Sequence, residues 1–162
     1  MSKHWATVWP ILKPDTYYTF ASGGLDWGSP AAIGVALAEK KQGTGRPVVA
    51  VIGDGAFQNS VQDLYTAVQQ QLKVIFIVPC NGEYAILKEF ALLEKTPNVP
   101  GLDLPGLDLV SAAKGFGCAS VSAKTTQEIK QAFADALKAN GPTLISIPIA
   151  LQERPLVAPV AS

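Results

Sequence analysis

The chain is predicted to fold as α/β, a three-layer α/β/α arrangement around a doubly wound, mainly parallel sheet. Three observations predict this. First, Val48-Val49-Ala50-Val51-Ile52 is a bare apolar run rich in β-branched residues, which reads as a strand buried on both faces. Second, another such run, Lys73-Val74-Ile75-Phe76-Ile77-Val78-Pro79, follows after a gap long enough for one crossover helix. The two strand ends then lie side by side at one edge of a parallel sheet. Third, strand and helix patterns go on alternating towards the C-terminal part, as a doubly wound sheet requires.

The 162 residues suit one domain with a single well-buried core. Thirteen basic residues balance thirteen acidic ones, and 48% of the chain is hydrophobic against 16% charged. With no basic cluster, nucleic acid and anionic membrane surfaces are poor partners. No apolar run approaches the roughly 20 residues of a membrane span, and the N-terminus lacks the pattern of a signal peptide. Cys80 and Cys118 make no disulfide framework, so a reducing, cytoplasmic setting is expected.

Residues 1–15 show no clear period and read as an N-terminal segment or linker. His4, the sole histidine, reads there as an exposed terminal residue rather than an acid–base group. Thr16 to Phe20 is β-prone and leads into a turn at Ser22-Gly23-Gly24. The next segment predicts a helix over Ser29 to Glu39, with Ser29 as N-cap and Pro30 at the first helical position. Gln42 to Pro47 is a surface turn. Its Gly-x-Gly precedes a strand, the reverse of a dinucleotide fingerprint.

After the first strand, Val61, Leu64, Tyr65 and Val68 have helical spacing, and the crossover helix is placed over Ser60 to Leu72 with Ser60 as N-cap. Tyr84 to Leu93 reads as a helix whose Leu87 and Phe90 share a face. Thr96 to Asp108, rich in Pro and Gly, reads as an ordered loop. A helix over Leu109 to Lys114 and a strand over Ala119 to Ser122 follow. Thr125 or Thr126 then caps a helix to about Asn140, stopped by Gly141. Pro142 to Ile149 is a last buried strand, the domain spans 16–150, and 151–162 is a tail. No internal repeat is present.

The chemistry concentrates at the two strand ends. Gly53-Asp54-Gly55 sets one carboxylate between two residues that allow a sharp turn and close approach to a ligand. Asn81-Gly82 closes the second strand. Asp54 and Asn81 offer hard oxygen ligands of the kind Mg²⁺ takes. Cys80, next to them, reads as strand-end packing rather than a reactive thiol or metal ligand.

Gly-Asp-Gly, a helix-length gap and then Asn-Asn-Gly is the pattern that this stretch resembles, with Cys80 at the first Asn and Asn81 kept as the second. It is the diphosphate-and-metal motif of thiamine diphosphate (ThDP) enzymes. Thr19 to Gly34, Asn98-Val99-Pro100-Gly101-Leu102-Asp103 and Ala113-Lys114-Gly115-Phe116-Gly117 resemble the same family. Together they cover about Thr16 to Pro148 and look most like the C-terminal, diphosphate-binding (PP) domain of benzoylformate decarboxylase-like 2-oxo-acid decarboxylases. The thiamine diphosphate-binding fold is thereby implied.

The resemblance implies ThDP and Mg²⁺ as cofactors. It assigns the metal to Asp54, Asn81 and the main-chain carbonyl of Glu83, and the diphosphate to Gly53, Asp54, Gly55 and Ala56. The backbone of Gly23 meets the aminopyrimidine, and Leu25 props the cofactor into its bent shape. Leu87 and Phe90 are implied in the substrate pocket, where Ala85 and Ile86 replace small residues. No catalytic residue is assigned within the chain. The glutamate that activates the cofactor belongs in this family to a separate pyrimidine-binding (PYR) domain, so the chain resembles half an active site, inactive alone and part of a homo- or hetero-oligomer. Two other readings stand beside this one: a non-catalytic binding or assembly module of the same fold, and an unrelated phosphohydrolase with Asp54 as nucleophile.

Overall fold

The structure, a computed structural model, describes residues 10–19 and 23–150. His4, Phe20, Ser22 and the tail at 151–162 lie outside the described residues. Four strands, β1 (Val48–Val51), β2 (Val74–Cys80), β3 (Ala119–Ser122) and β4 (Thr143–Pro148), form one sheet in the order β1-β2-β4-β3, with every pair parallel.

Alternation along β2 builds the layers. Val74, Phe76 and Val78 join the larger core with Ala32, Ile33 and Ala36, with Leu64 and Ala67, and with Leu109 and Ala113. These come from α1 (Gly28–Gln42), α3 (Asp63–Gln69) and α5 (Leu109–Gly115). Ile75 and Ile77 point the other way and pack with Ile129, Phe133 and Ala136 of α6 (Thr126–Lys138). Helices therefore cover both faces, and the predicted three-layer α/β class holds. Phe57 and Phe76 meet edge to face with ring centroids 5.3 Å apart, and both are fully buried. Such a pair adds about 0.5–1.5 kcal/mol beyond its area burial.

β2 and β4 are the strands flanked on both sides; β1 is not. Val49 is 43% exposed, so the expectation that Val48 to Ile52 is buried on both faces is corrected. β1 is an edge strand of the described sheet and covers less of itself than a central strand does.

The crossover helix also differs from expectation. Helix starts at Asp54 itself, as α2 (Asp54–Gln58), breaks over residues 59–62, and resumes as α3. Ser60 is no N-cap: it sits in the break, where its N–H goes to Phe57 O and its carbonyl takes Asp63 N–H. Gln71, at φ 47°, ends the second piece before Leu72.

At α1, Trp27 already has helical angles and its carbonyl takes Ala31 N–H, so Ser29 falls inside the helix rather than capping it. The helix runs on to Gln42, where left-handed Gly43 stops it. No strand forms over residues 16–19. α6 ends at Lys138 because Ala139 turns extended, ahead of the Gly141 expected to stop it. Its start is as predicted, with Thr125 and Glu128 forming a capping box.

Candidate functional site

The parallel register of Val51 with Ile77, and the bond from Ile52 N–H to Ile77 O, bring the ends of β1 and β2 together. Gly53 leaves β1 extended, and Asp54 opens α2 immediately. Its carboxylate is buried and ties the two loops: Oδ1 accepts the Gly55 N–H at 2.9 Å and Oδ2 accepts the Gly82 N–H at 2.8 Å. Gly82 has φ +73°, a left-handed turn that lets its N–H face back to Asp54. Asn81 Oδ1 accepts the Glu83 N–H at 3.2 Å. Asp54, Asn81 and Glu83, predicted as a set, are thus knit together through Gly82.

Residues 82–84 are held from the far side by residues 102–104. Tyr84 N–H donates to Leu102 O and Leu104 N–H to Gly82 O, both at 2.8 Å, around an antiparallel bridge between Glu83 and Asp103. In this arrangement the bonds are made by the neighbours of the bridged pair, so Glu83's own N–H and C=O point away from the 102–104 loop. The N–H faces Asn81, and the carbonyl lies on that same side of the segment.

Lys88, on α4 (Ala85–Leu93), reaches Glu83 Oε2 and Asp103 Oδ1, each at 2.5 Å. Both carboxylates, Asp103 first, hold the ammonium pKa above its ordinary value. Tyr84 lies over Gly55, and its hydroxyl accepts from Gln58 Nε2 at 2.5 Å.

Cys80 faces elsewhere. Its Sγ lies 3.2 Å from Ser146 Oγ and 3.3 Å from Val78 O. Burial pushes the thiol pKa up; the Ser146 contact opposes this and the Asp54 charge adds to it.

Gly23, at φ +77°, and Leu25 occupy the turn ahead of α1. The first residue of that helix, Gly28, packs on Ile52 so closely that a Cβ there would lie 3.2 Å from its side chain. Gly23 and Leu25 lie upstream of that contact and make no hydrogen bond to Asp54, Asn81 or Glu83. Leu87 and Phe90 share the outer face of α4, 38% and 48% exposed.

Sequence reasoning gave no role to Gln58, Tyr84, Lys88 or Asp103. Asp103 stood in a segment that resembles the family, and Tyr84 and Lys88 in the helix expected over Tyr84 to Leu93, but the contacts through which the four act have no periodic signature.

The donor set fits a small hard cation: one carboxylate, one amide oxygen and one main-chain carbonyl. Mg²⁺ is characteristically held by one or two carboxylates and completes its octahedron with phosphate and water. No cluster of three His, Cys, Asp or Glu side chains suited to a metal exists among the described residues. The described helices include none long and apolar enough to cross a membrane.

Comparison with known proteins agrees with the fold and the motifs. Residues 1–147 match the family described as thiamine pyrophosphate enzyme, C-terminal TPP binding domain. The match begins ahead of Thr16, where the resemblance read from the motifs began. The chain is similar to benzoylformate decarboxylase of Pseudomonas aeruginosa, with 39% identity over 85% of this chain and 25% of that protein.

Among solved structures it is similar to benzoylformate decarboxylase from Polynucleobacter necessarius, at a TM-score of 0.85 and 55% identity over 89% of this chain and 27% of the other. The ThDP-dependent 4-hydroxybenzoylformate decarboxylase of Rhodococcus jostii RHA1 gives a TM-score of 0.78 and 38% identity over 85% and 25%. The chain spans about a quarter of the length of these relatives. Its two joined strand-end loops and the match over residues 1–147 lead to one assignment: the chain belongs to the family of C-terminal TPP-binding domains of thiamine pyrophosphate enzymes, whose cofactor is thiamine diphosphate.

Proposed function

We propose that this chain is the diphosphate- and Mg²⁺-binding half of a ThDP-dependent 2-oxo-acid decarboxylase of the benzoylformate decarboxylase type, or of a related lyase. The observation that carries the proposal is the bond from Gly82 N–H to Asp54 Oδ2. It closes the two strand-end loops on each other and leaves Asp54, Asn81 and the Glu83 carbonyl available to one cation. Gly53, Gly55 and Ala56 border the diphosphate. Gly23 meets the aminopyrimidine, and Leu25 supports the bend of the cofactor.

Bound ThDP supplies the carbanion and the electron sink for loss of CO₂; the residues of this chain hold and orient it. Leu87 and Phe90 offer apolar surface on α4 for the aryl or alkyl part of the substrate. Residues 16–150 form the PP domain. A pyrimidine-binding domain or subunit completes the site within an oligomer, and the free thiols Cys80 and Cys118 suit a cytoplasmic setting.

One observation stands on the side of a non-catalytic module of this fold, namely Cys80 at the first Asn of the motif. Its sulfur packs against Ser146 and leaves the oxygen donors in place, which favours the binding reading.

Calorimetric titration of ThDP, with and without Mg²⁺, tests the proposal. Binding that requires Mg²⁺ and is lost in a folded Asp54→Ala variant is expected, either for the chain alone or once a pyrimidine-binding domain is added. Absence of binding under both conditions would overturn it.

A further inference from the structure

Glu83 and Asp103 face each other directly across a two-residue bridge. Two like charges in that position repel and should open the pair. Lys88 prevents this. Its ammonium sits between both carboxylates at 2.5 Å from each, reaching back from the first turn of α4, where its own N–H donates to Tyr84 O.

The two contacts are unequal. The Glu83 side chain is 12% exposed and that of Asp103 76%, with Lys88 at 35%. An exposed ion pair contributes little, whereas a carboxylate withdrawn from water needs its partner. Asp103 is the larger cause of the raised Lys88 pKa, but its carboxylate is screened by water, so for holding the pairing the Lys88–Glu83 contact is the dominant one.

We propose that Lys88 is a positioning residue for the metal site: by neutralising Glu83 against Asp103 it keeps residues 82–84 paired with 102–104, and so aims the Glu83 carbonyl at the cation held by Asp54 and Asn81. This rests on the metal site proposed above and adds a residue that touches neither cation nor cofactor. Side chains that orient metal ligands from behind typically control affinity 10–100-fold.

Two readouts test it. The first is amide hydrogen exchange at Tyr84 and Leu104, the two donors of the pairing, which needs no ligand. Lys88→Met should speed exchange at both about tenfold while amides of β2 and β4 stay unchanged. Lys88→Arg should restore protection, and Asp103→Asn should have a much smaller effect. The second is the Mg²⁺ concentration giving half-maximal ThDP binding, with a pyrimidine-binding domain added where the chain alone does not bind. It should rise about tenfold in Lys88→Met, the lower end of the range for such residues, and return towards the wild-type value in Lys88→Arg.

Unchanged exchange in Lys88→Met overturns the proposal. So does faster exchange with an unchanged Mg²⁺ requirement, since the pairing would then be irrelevant to the metal. Wild-type protein that binds no ThDP at any Mg²⁺ concentration overturns the metal site itself. The exchange data then still report whether Lys88 holds the loop, which separates the two failures.

Discussion

The ring of Tyr84 lies so close over Gly55 that a Cβ added to that glycine would stand 2.6 Å from Cε1 of the ring. The hydroxyl of the same ring accepts from Gln58, so both ends of α2 are gripped by the residue that follows Glu83. Gly55 is thus required for space rather than for backbone freedom.

Gly55→Ala should destabilise the fold. Overpacking costs about 1–3 kcal/mol, while Ala over Gly returns at most about 1 kcal/mol of helix propensity in this short helix. The net loss should largely disappear in the Gly55→Ala/Tyr84→Ala double variant, relative to Tyr84→Ala alone. Urea unfolding of the four proteins gives the coupling; additive effects would contradict the contact.

Gly82 should behave in the opposite way. Nothing lies within 4 Å of its missing Cβ, but its φ is +73°. Gly82→Ala should cost about 1–2 kcal/mol from the left-handed backbone alone, and Gly82→Asn less, because Asn enters that region more readily. Equal losses for the two variants would point to sterics instead.

Acid should weaken the caps of α5 and α6. Glu128 Oε2 accepts from the Lys124 and Thr125 N–H groups at 2.7 and 3.0 Å, and these bonds hold its carboxyl below the usual range. The Ser111 hydroxyl and N–H do the same for Asp108. A depressed folded pKa stabilises fully above the unfolded value, near 4 for these groups, and the gain is lost as pH falls through the folded value. The stability difference between wild type and Glu128→Gln should therefore be constant at neutral pH and shrink below about pH 4. Thr125→Ala should cost about 1 kcal/mol. Denaturant titrations between pH 7 and 3 check both.

Neither thiol should react quickly at neutral pH. Burial pushes Cys118 up to about 12, and it raises Cys80 as well. The reactive species is the thiolate, so both remain almost wholly in the unreactive form at pH 7. Labelling with an aromatic disulfide reagent should be slow, with half-buried Cys80 ahead of buried Cys118, and rapid at both in denaturant. Fast labelling of the folded chain would contradict these environments.

The strand runs, the helix of α1, the capping residue Thr125 and the pair of glycine turns at the strand ends were legible in the sequence because each leaves a local trace. A buried central strand is an unbroken apolar run, and a turn next to a ligand needs glycine beside an oxygen donor. The break in the crossover was not legible. Ser60 looks like a helix start, but the chain had already begun its helix at Asp54, and burial of Phe57 against Phe76 placed the turn after it. The roles of Tyr84, Gln58, Lys88 and Asp103 were hidden for a related reason. They arise where α2, α4 and the 102–104 loop converge, and no spacing along one segment encodes such a meeting. Val49 misled because an edge strand and a central one can be written in the same residues.

That edge has a practical consequence for work with the isolated chain. Among the described residues the outer side of β1 is unpaired and offers backbone donors and acceptors to any extended segment that drifts past, and Val49 adds a sticky side chain. The formal net charge of zero leaves little mutual repulsion between molecules near neutral pH. Concentrated stocks should therefore cloud first close to neutrality and clear as the buffer is moved to pH 8.5 or above. Replacing Val49 with Lys should raise the ceiling on concentration at pH 7, a difference that static light scattering would read directly.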